Sequence, residues 1–139
     1  MPTMDLKNAR LGQITNVVHD VDAAVAFYRD RLGFTLLFQV SGLAFFDCGG
    51  VRLMLSKPET PQQDHRGSFL YFKVDDIHAT HRTLCERQVT FVDEPHLVTK
   101  MKDHELWMTF FHDLDGNPLA LMSEVPLKGV ADAASQTPT

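Results

Sequence analysis

The chain has 139 residues, 44% of them hydrophobic, which is enough for one domain with a core and short for two conventional ones. A formal charge of -5, with no basic run anywhere, argues against the phosphate neutralisation that nucleic-acid binding needs. The opening MPTMDLKNARLGQ has no apolar signal core, and no stretch reaches the ~20 apolar residues that span a bilayer, so a cytoplasmic protein without membrane attachment is expected.

In chain order, residues 13 to 18 read as a strand. HDVDAAVAFYRDRLG (19 to 33) then carries apolar residues at Val21, Ala24, Val25, Tyr28 and Leu32, the helical period, with Gly33 as its cap. Strands are expected over 34 to 40, 43 to 48 and 51 to 56, the last two joined by a tight Gly49-Gly50 turn. PETPQQDHRG (58 to 67) has the composition of a mobile linker. The order then starts again, with a strand over 69 to 74, a helix over 76 to 87, and strands over 89 to 93, 106 to 112 and 119 to 123. Everything after Pro126 is small and polar, the composition of a disordered tail. Cys48 and Cys85 lack the spacing of a disulfide framework or zinc site and read as reduced packing residues.

The two halves repeat in letters as well as in order. At an offset of 56, Val18, Asp20, Ala23 and Arg31 fall on Val74, Asp76, Ala79 and Arg87. At an offset of 66, Asp47, Gly50, Leu53 and Leu55 fall on Asp113, Gly116, Leu119 and Leu121, and a ten-residue longer loop between Asp93 and Leu106 accounts for the change. The expected fold class is therefore α+β: tandem βαβββ modules, about 11 to 57 and 68 to 125, forming a single domain of curved mixed sheets with the helices outside.

Alternation assigns faces to the strands. Ile14, Val18, Leu53, Leu55, Leu70, Phe72, Val74, Leu119 and Leu121 form an apolar set, broken by Asn16, that should pack on the helices. The opposite set is mixed: Gln13, Thr15 and Val17, Arg52, Met54 and Ser56, Phe69, Tyr71 and Lys73, Pro118, Ala120 and Met122. Such a surface suits a ligand cavity, mostly apolar with a few polar anchors.

The stretches VHDVDAAVAFYRDRLGF (18 to 34), GGVRLML (49 to 55), FKVDDI (72 to 77) and FFHDLDGNPLALMSEV (110 to 125) carry a family resemblance. Together they resemble the vicinal oxygen chelate superfamily, which includes glyoxalases and bleomycin-resistance proteins. The resemblance implies four metal-ligand positions, which fall on Gln13, Met54, Phe69 and Ala120. Gln13 alone could hold a hard or borderline divalent ion, since Phe and Ala have no donor and a thioether is soft. No metal and no cofactor are therefore expected. Met54 and Phe69 would form either an apolar pocket floor or a filled core. The resemblance also implies a homodimer, in which modules pair to complete each cavity.

Arg52, Tyr71 and Lys73 share the mixed face and are natural anchors for a carboxylate, phosphate or polarised carbonyl, with Lys73 also readable as a solvated strand end. Asp47 should stand opposite Arg52, leaving that residue as either an ion-pair partner or a ligand anchor. Residues 93 to 112 are rich in ionisable groups, and His104, Glu105 and Trp107 are the candidates there. The expected ligand-binding set is Gln13, Arg52, Met54, Phe69, Trp107 and Ala120; the catalytic candidates are Glu105, His104 and Tyr71. His78 and His81, three apart on a helix, read as solvent-facing. Three functions follow from these residues and the resemblance. One is metal-free binding of a small aromatic or carbonyl-containing molecule. The others are a metal-independent lyase or isomerase with an acid or base from 93 to 112, and a metal-dependent glyoxalase or dioxygenase with unusual ligands.

Overall fold

The computed structural model describes residues 5 to 127. The chain divides between His65 and Arg66 into two compact units, each carrying one βαβββ module.

In the first unit, β1 (Gln13–Val17) leads to α1 (Val21–Ala26). The Asp20 side chain caps this helix, accepting from the Ala23 amide at 3.0 Å and so satisfying one donor that the first turn leaves open. The helix continues as a π turn over Phe27–Arg31, keeping both Phe27 and Tyr28 buried, and Gly33 (φ 88°) ends it in the left-handed region. Then come β2 (Thr35–Val40), β3 (Leu43–Cys48) and β4 (Val51–Ser56), in the sheet order β1-β4-β3-β2 with β1 parallel to β4. Gly49 and Gly50 both have positive φ, as the two-residue turn between β3 and β4 requires.

Tyr28, Phe46, Leu53 and Leu55 form the core between α1 and this sheet. Asn16 lies in that core: its amide donates to the Tyr28 hydroxyl at 3.1 Å, while its Oδ1 is buried without a hydrogen-bond partner. The expected linker is structured locally, with a 3-10 turn at Pro61–Gln63 and His19 Nε2 lying 2.7 Å from Asp64 Oδ1.

The second unit contains β5 (Leu70–Lys73), α2 (Ile77–Glu86), β6 (His96–Lys100), β7 (His104–His112) and β8 (Pro118–Pro126). Its sheet order, β5-β8-β7-β6 with β5 parallel to β8, repeats that of the first unit, and Asp76 caps α2 as Asp20 caps α1.

Three expectations need correction here. Residues 89 to 93 form no strand beyond a single bridge between Phe91 and Phe111. Asp93 Oδ1 instead accepts from Thr109 Oγ1 (2.8 Å) and the Phe110 amide (2.9 Å), so a side chain takes the place of a backbone ladder. The extra residues are not an added loop either: they supply β6 and lengthen β7 to nine residues against six in β3. The last strand also runs to Pro126, and the Leu127 amide donates to Asp103 O, so the expected tail starts later; residues 128 to 139 lie outside the described residues.

Candidate ligand-binding faces

Each sheet has one face covered by its own helix and one that is free of it. In the first unit the row Asp47, Arg52, Gln13 crosses β3, β4 and β1 on the helix-free side, and Phe45, Met54 and Thr15 form the next row. The expected register across the Gly49-Gly50 turn is present, since Asp47 pairs with Arg52. The side chains do not form an ion pair there. Arg52 Nε donates to Gln13 Oε1 at 2.9 Å, its guanidinium carbon lies 5.2 Å from the centre of the Phe45 ring, and Gln13 Nε2 lies 3.7 Å from the Met54 sulfur. Phe38 stacks on Phe45 at 4.5 Å.

In the second unit, Tyr71, Ala120 and Phe110 form one row across β5, β8 and β7. Phe110 meets Phe69 and Tyr71 edge-on at 6.2 and 6.1 Å, a geometry favoured by ring quadrupoles. Phe69 and Tyr71 remain 58% and 46% exposed, while Ala120 is fully buried beneath them. His104 belongs to this face through its register opposite Pro126. Its Nδ1 lies 2.7 Å from Asp103 Oδ1 and its Nε2 lies 3.7 Å from Glu124 Oε2. The hydrogen bond to His104 holds the Asp103 carboxyl below its usual range. Lys73 is not simply solvated, because its ammonium pairs with Glu124 at 2.8 Å. Glu124 is the member of this cluster that sequence reasoning missed; its parity with Ala120 on β8 was the available signal.

Glu105 and Trp107 lie on the other side of β7. Trp107 meets His78 of α2 at 5.2 Å and donates through Nε1 to Glu105 Oε1 at 3.2 Å. Trp107 and Glu105 are thus together, as their shared parity requires, but on the helix-covered face and apart from Tyr71 and His104. His81 is not solvent-facing: its side chain is 14% exposed and its ring lies 4.4 Å from Phe91. Cys85 is exposed rather than packed, with its sulfur 3.6 Å from His81 Nε2, while Cys48 is half-buried. A polar groove of 730 Å³ bounded by His19, Asp22, Gln39, Ser41 and Lys57 lies beside the start of α1 and includes none of the expected site residues.

The four positions implied for a metal do not fit one. Phe69 and Ala120 have no donor atom, Met54 offers only a thioether, and the Gln13 carbonyl is already bonded to a cation. No group of three or more His, Cys, Asp or Glu among the described residues could hold a metal ion.

The profile of the Glyoxalase/Bleomycin resistance protein/Dioxygenase superfamily matches residues 10 to 121. The chain belongs to this superfamily. A superfamily member from Sphaerobacter thermophilus superposes with a TM-score of 0.70 at 25% identity, covering 84% of this chain and 98% of that one. A lactoylglutathione lyase from Agrobacterium tumefaciens gives 0.68 at 20% identity over 84% and 95% of the two chains. A virulence protein from Salmonella typhimurium gives 0.69 at 19% over 84% and 97%; at these identities the last two likenesses concern the fold alone. No curated protein matches the chain in sequence. Within the glyoxalase-like fold, the helix-free faces carry the members of the expected set that structure brings together, Gln13, Arg52 and Met54 in one unit and Phe69, Tyr71 and Ala120 in the other, while His104 shares the second face at the far end of β7. No helix among the described residues is long and apolar enough to cross a membrane.

Proposed function

We propose that the protein binds a small aromatic or carbonyl-containing molecule on a helix-free sheet face, without a divalent metal. The observation that carries this reading is the Phe69, Tyr71 and Phe110 cluster, which leaves two aromatic rings about half exposed on a sheet face. Exposed aromatic surface of this kind gains more from covering an apolar ligand than from contact with water. The protein acts in the cytoplasm, as a homodimer.

Benzamide serves as a simple aromatic carbonyl probe. Tyr71→Ala or Phe69→Ala should weaken its binding about fivefold, roughly the loss of one aromatic contact. Excess chelator should change neither binding nor the melting midpoint. A midpoint that falls with chelator and returns with one divalent ion would overturn metal independence; binding indifferent to both aromatic substitutions would overturn the site.

One observation favours a second reading, a metal-independent lyase or isomerase. His104 shares the face of Tyr71, and its imidazole is oriented by Asp103 as a general acid or base needs. Glu105 lies on the other side of β7, beside Trp107.

A further inference from the structure

We propose that Arg52 is an oxyanion anchor, so that a ligand bound on the helix-free face of the first unit carries a carboxylate. This rests on the reading that helix-free sheet faces bind small molecules, and it specifies the charge of the one taken by the first unit.

An Asp directly across an antiparallel pair is the ordinary partner of an exposed Arg. Asp47 occupies that position, yet Arg52 turns to the opposite neighbour in its row and donates through Nε to the neutral carbonyl of Gln13. No carboxylate among the described residues forms an ion pair with it. The Gln13 bond and the Phe45 ring under the guanidinium hold its plane from two directions, and the Met54 contact holds the Gln13 amide in turn. Both contacts orient the cation without neutralising it.

With Nε engaged, the two Nη groups are left as a pair of parallel donors at the exposed end of the side chain. That edge matches the spacing of carboxylate oxygens, and a charge-assisted pair of this kind is stronger than a neutral hydrogen bond. Phosphate shares the oxyanion chemistry, but the surroundings favour a planar organic acid: Phe38, paired with Phe45 and about half exposed, offers aromatic surface, Met54 adds a thioether, and no second exposed cation lies in either row.

The test compares benzoate with benzamide, which share a ring and differ in charge. Affinities are measured on the full chain by calorimetry, with the Arg Nε–Hε resonances followed by NMR. Benzoate should bind at least about tenfold more tightly than benzamide and shift the Arg52 Nε–Hε signal. Arg52→Gln should abolish that preference, so that the variant binds benzoate no more tightly than it binds benzamide. Asp47→Asn should preserve the preference. Equal affinity for the two probes, or a preference surviving Arg52→Gln, overturns the anchor and leaves the binding face standing. Failure of both probes to bind overturns the binding-face reading and the anchor with it.

Discussion

The Trp107 ring stands edge-on to the His78 imidazole, 5.2 Å between centres, which fixes it on the α2 side of β7. We assign it a packing role. Trp107→Ala should destabilise the fold by about 2 kcal/mol, below the usual cost for a fully buried Trp because the side chain is only half-buried. Glu105→Gln, which keeps an acceptor for the indole N–H, should cost under about 1 kcal/mol. Neither change should move benzamide affinity more than about twofold. Denaturant melts beside binding titrations check both, and a Trp107→Ala protein of unchanged stability that no longer binds would contradict this assignment.

Asp113 organises the DLDGN turn. Its Oδ1 accepts from the Asp115 and Asn117 amides, and its Oδ2 accepts from the Asn117 side chain, whose own carbonyl accepts from the Gly67 amide. Asp113→Ala removes the acceptor of three hydrogen bonds, two of them from buried Asn117, and should cost about 3 kcal/mol. The urea midpoint measures it; a loss no larger than that of an average surface substitution would show that the turn holds without its carboxylate.

Burial, and after it the charge of Asp47, push the Cys48 thiol up. Less of it is thiolate at a given pH, so an aromatic disulfide reagent at pH 8 should label exposed Cys85 first and Cys48 at least about tenfold more slowly. A raised folded value means that the stability tied to the protonated thiol is complete below the ordinary thiol range and is lost as pH rises through the folded value. Alkaline titration should consequently destabilise Cys48→Ala less than wild type. Equal labelling rates at the two thiols would contradict the assignment.

The edge strands β2 and β6 leave Leu37, Phe38, Val40, Leu97 and Val98 between 41% and 50% exposed. Open apolar edges of this kind are ordinarily covered. Light scattering at micromolar concentration should give twice the chain mass of 15.7 kDa. A monomeric mass there would remove the proposed homodimer.

Much of this fold was legible because local rules and the global pattern agree. Asp20 and Asp76 fall at matching places in the two halves and each caps its helix, and Leu53 and Leu55 alternate with Arg52 and Met54 because β4 has one buried face. The misread segment has no such face. All five residues of β6 are exposed, so no period marks it, while Phe91 and Val92 imitate a strand that Asp93 interrupts through its side chain. For the candidate site, sequence parity joined Glu105 to Trp107, but parity alone does not say which side of the sheet the pair takes. The register of β7 against β8 and the Trp107 contact with α2 supply that. The choice of Gln13 over Asp47 by Arg52 is likewise invisible in sequence, since both stand beside it in the same row.

The Gly49-Gly50 turn makes the first unit unequally tolerant of insertions and deletions. One residue added there has to be absorbed within the turn, because a single-step shift of β4 would turn Leu53 and Leu55 outward and Arg52 and Met54 into the core. The Ser41-Gly42 turn is more permissive, because β2 is exposed along most of its length and already absorbs a bulge between Leu36 and Phe38. Length variation in this half of the molecule, whether arising by drift or introduced as a peptide tag, therefore belongs at the turn after Val40, where the chain can grow without relocating a charge.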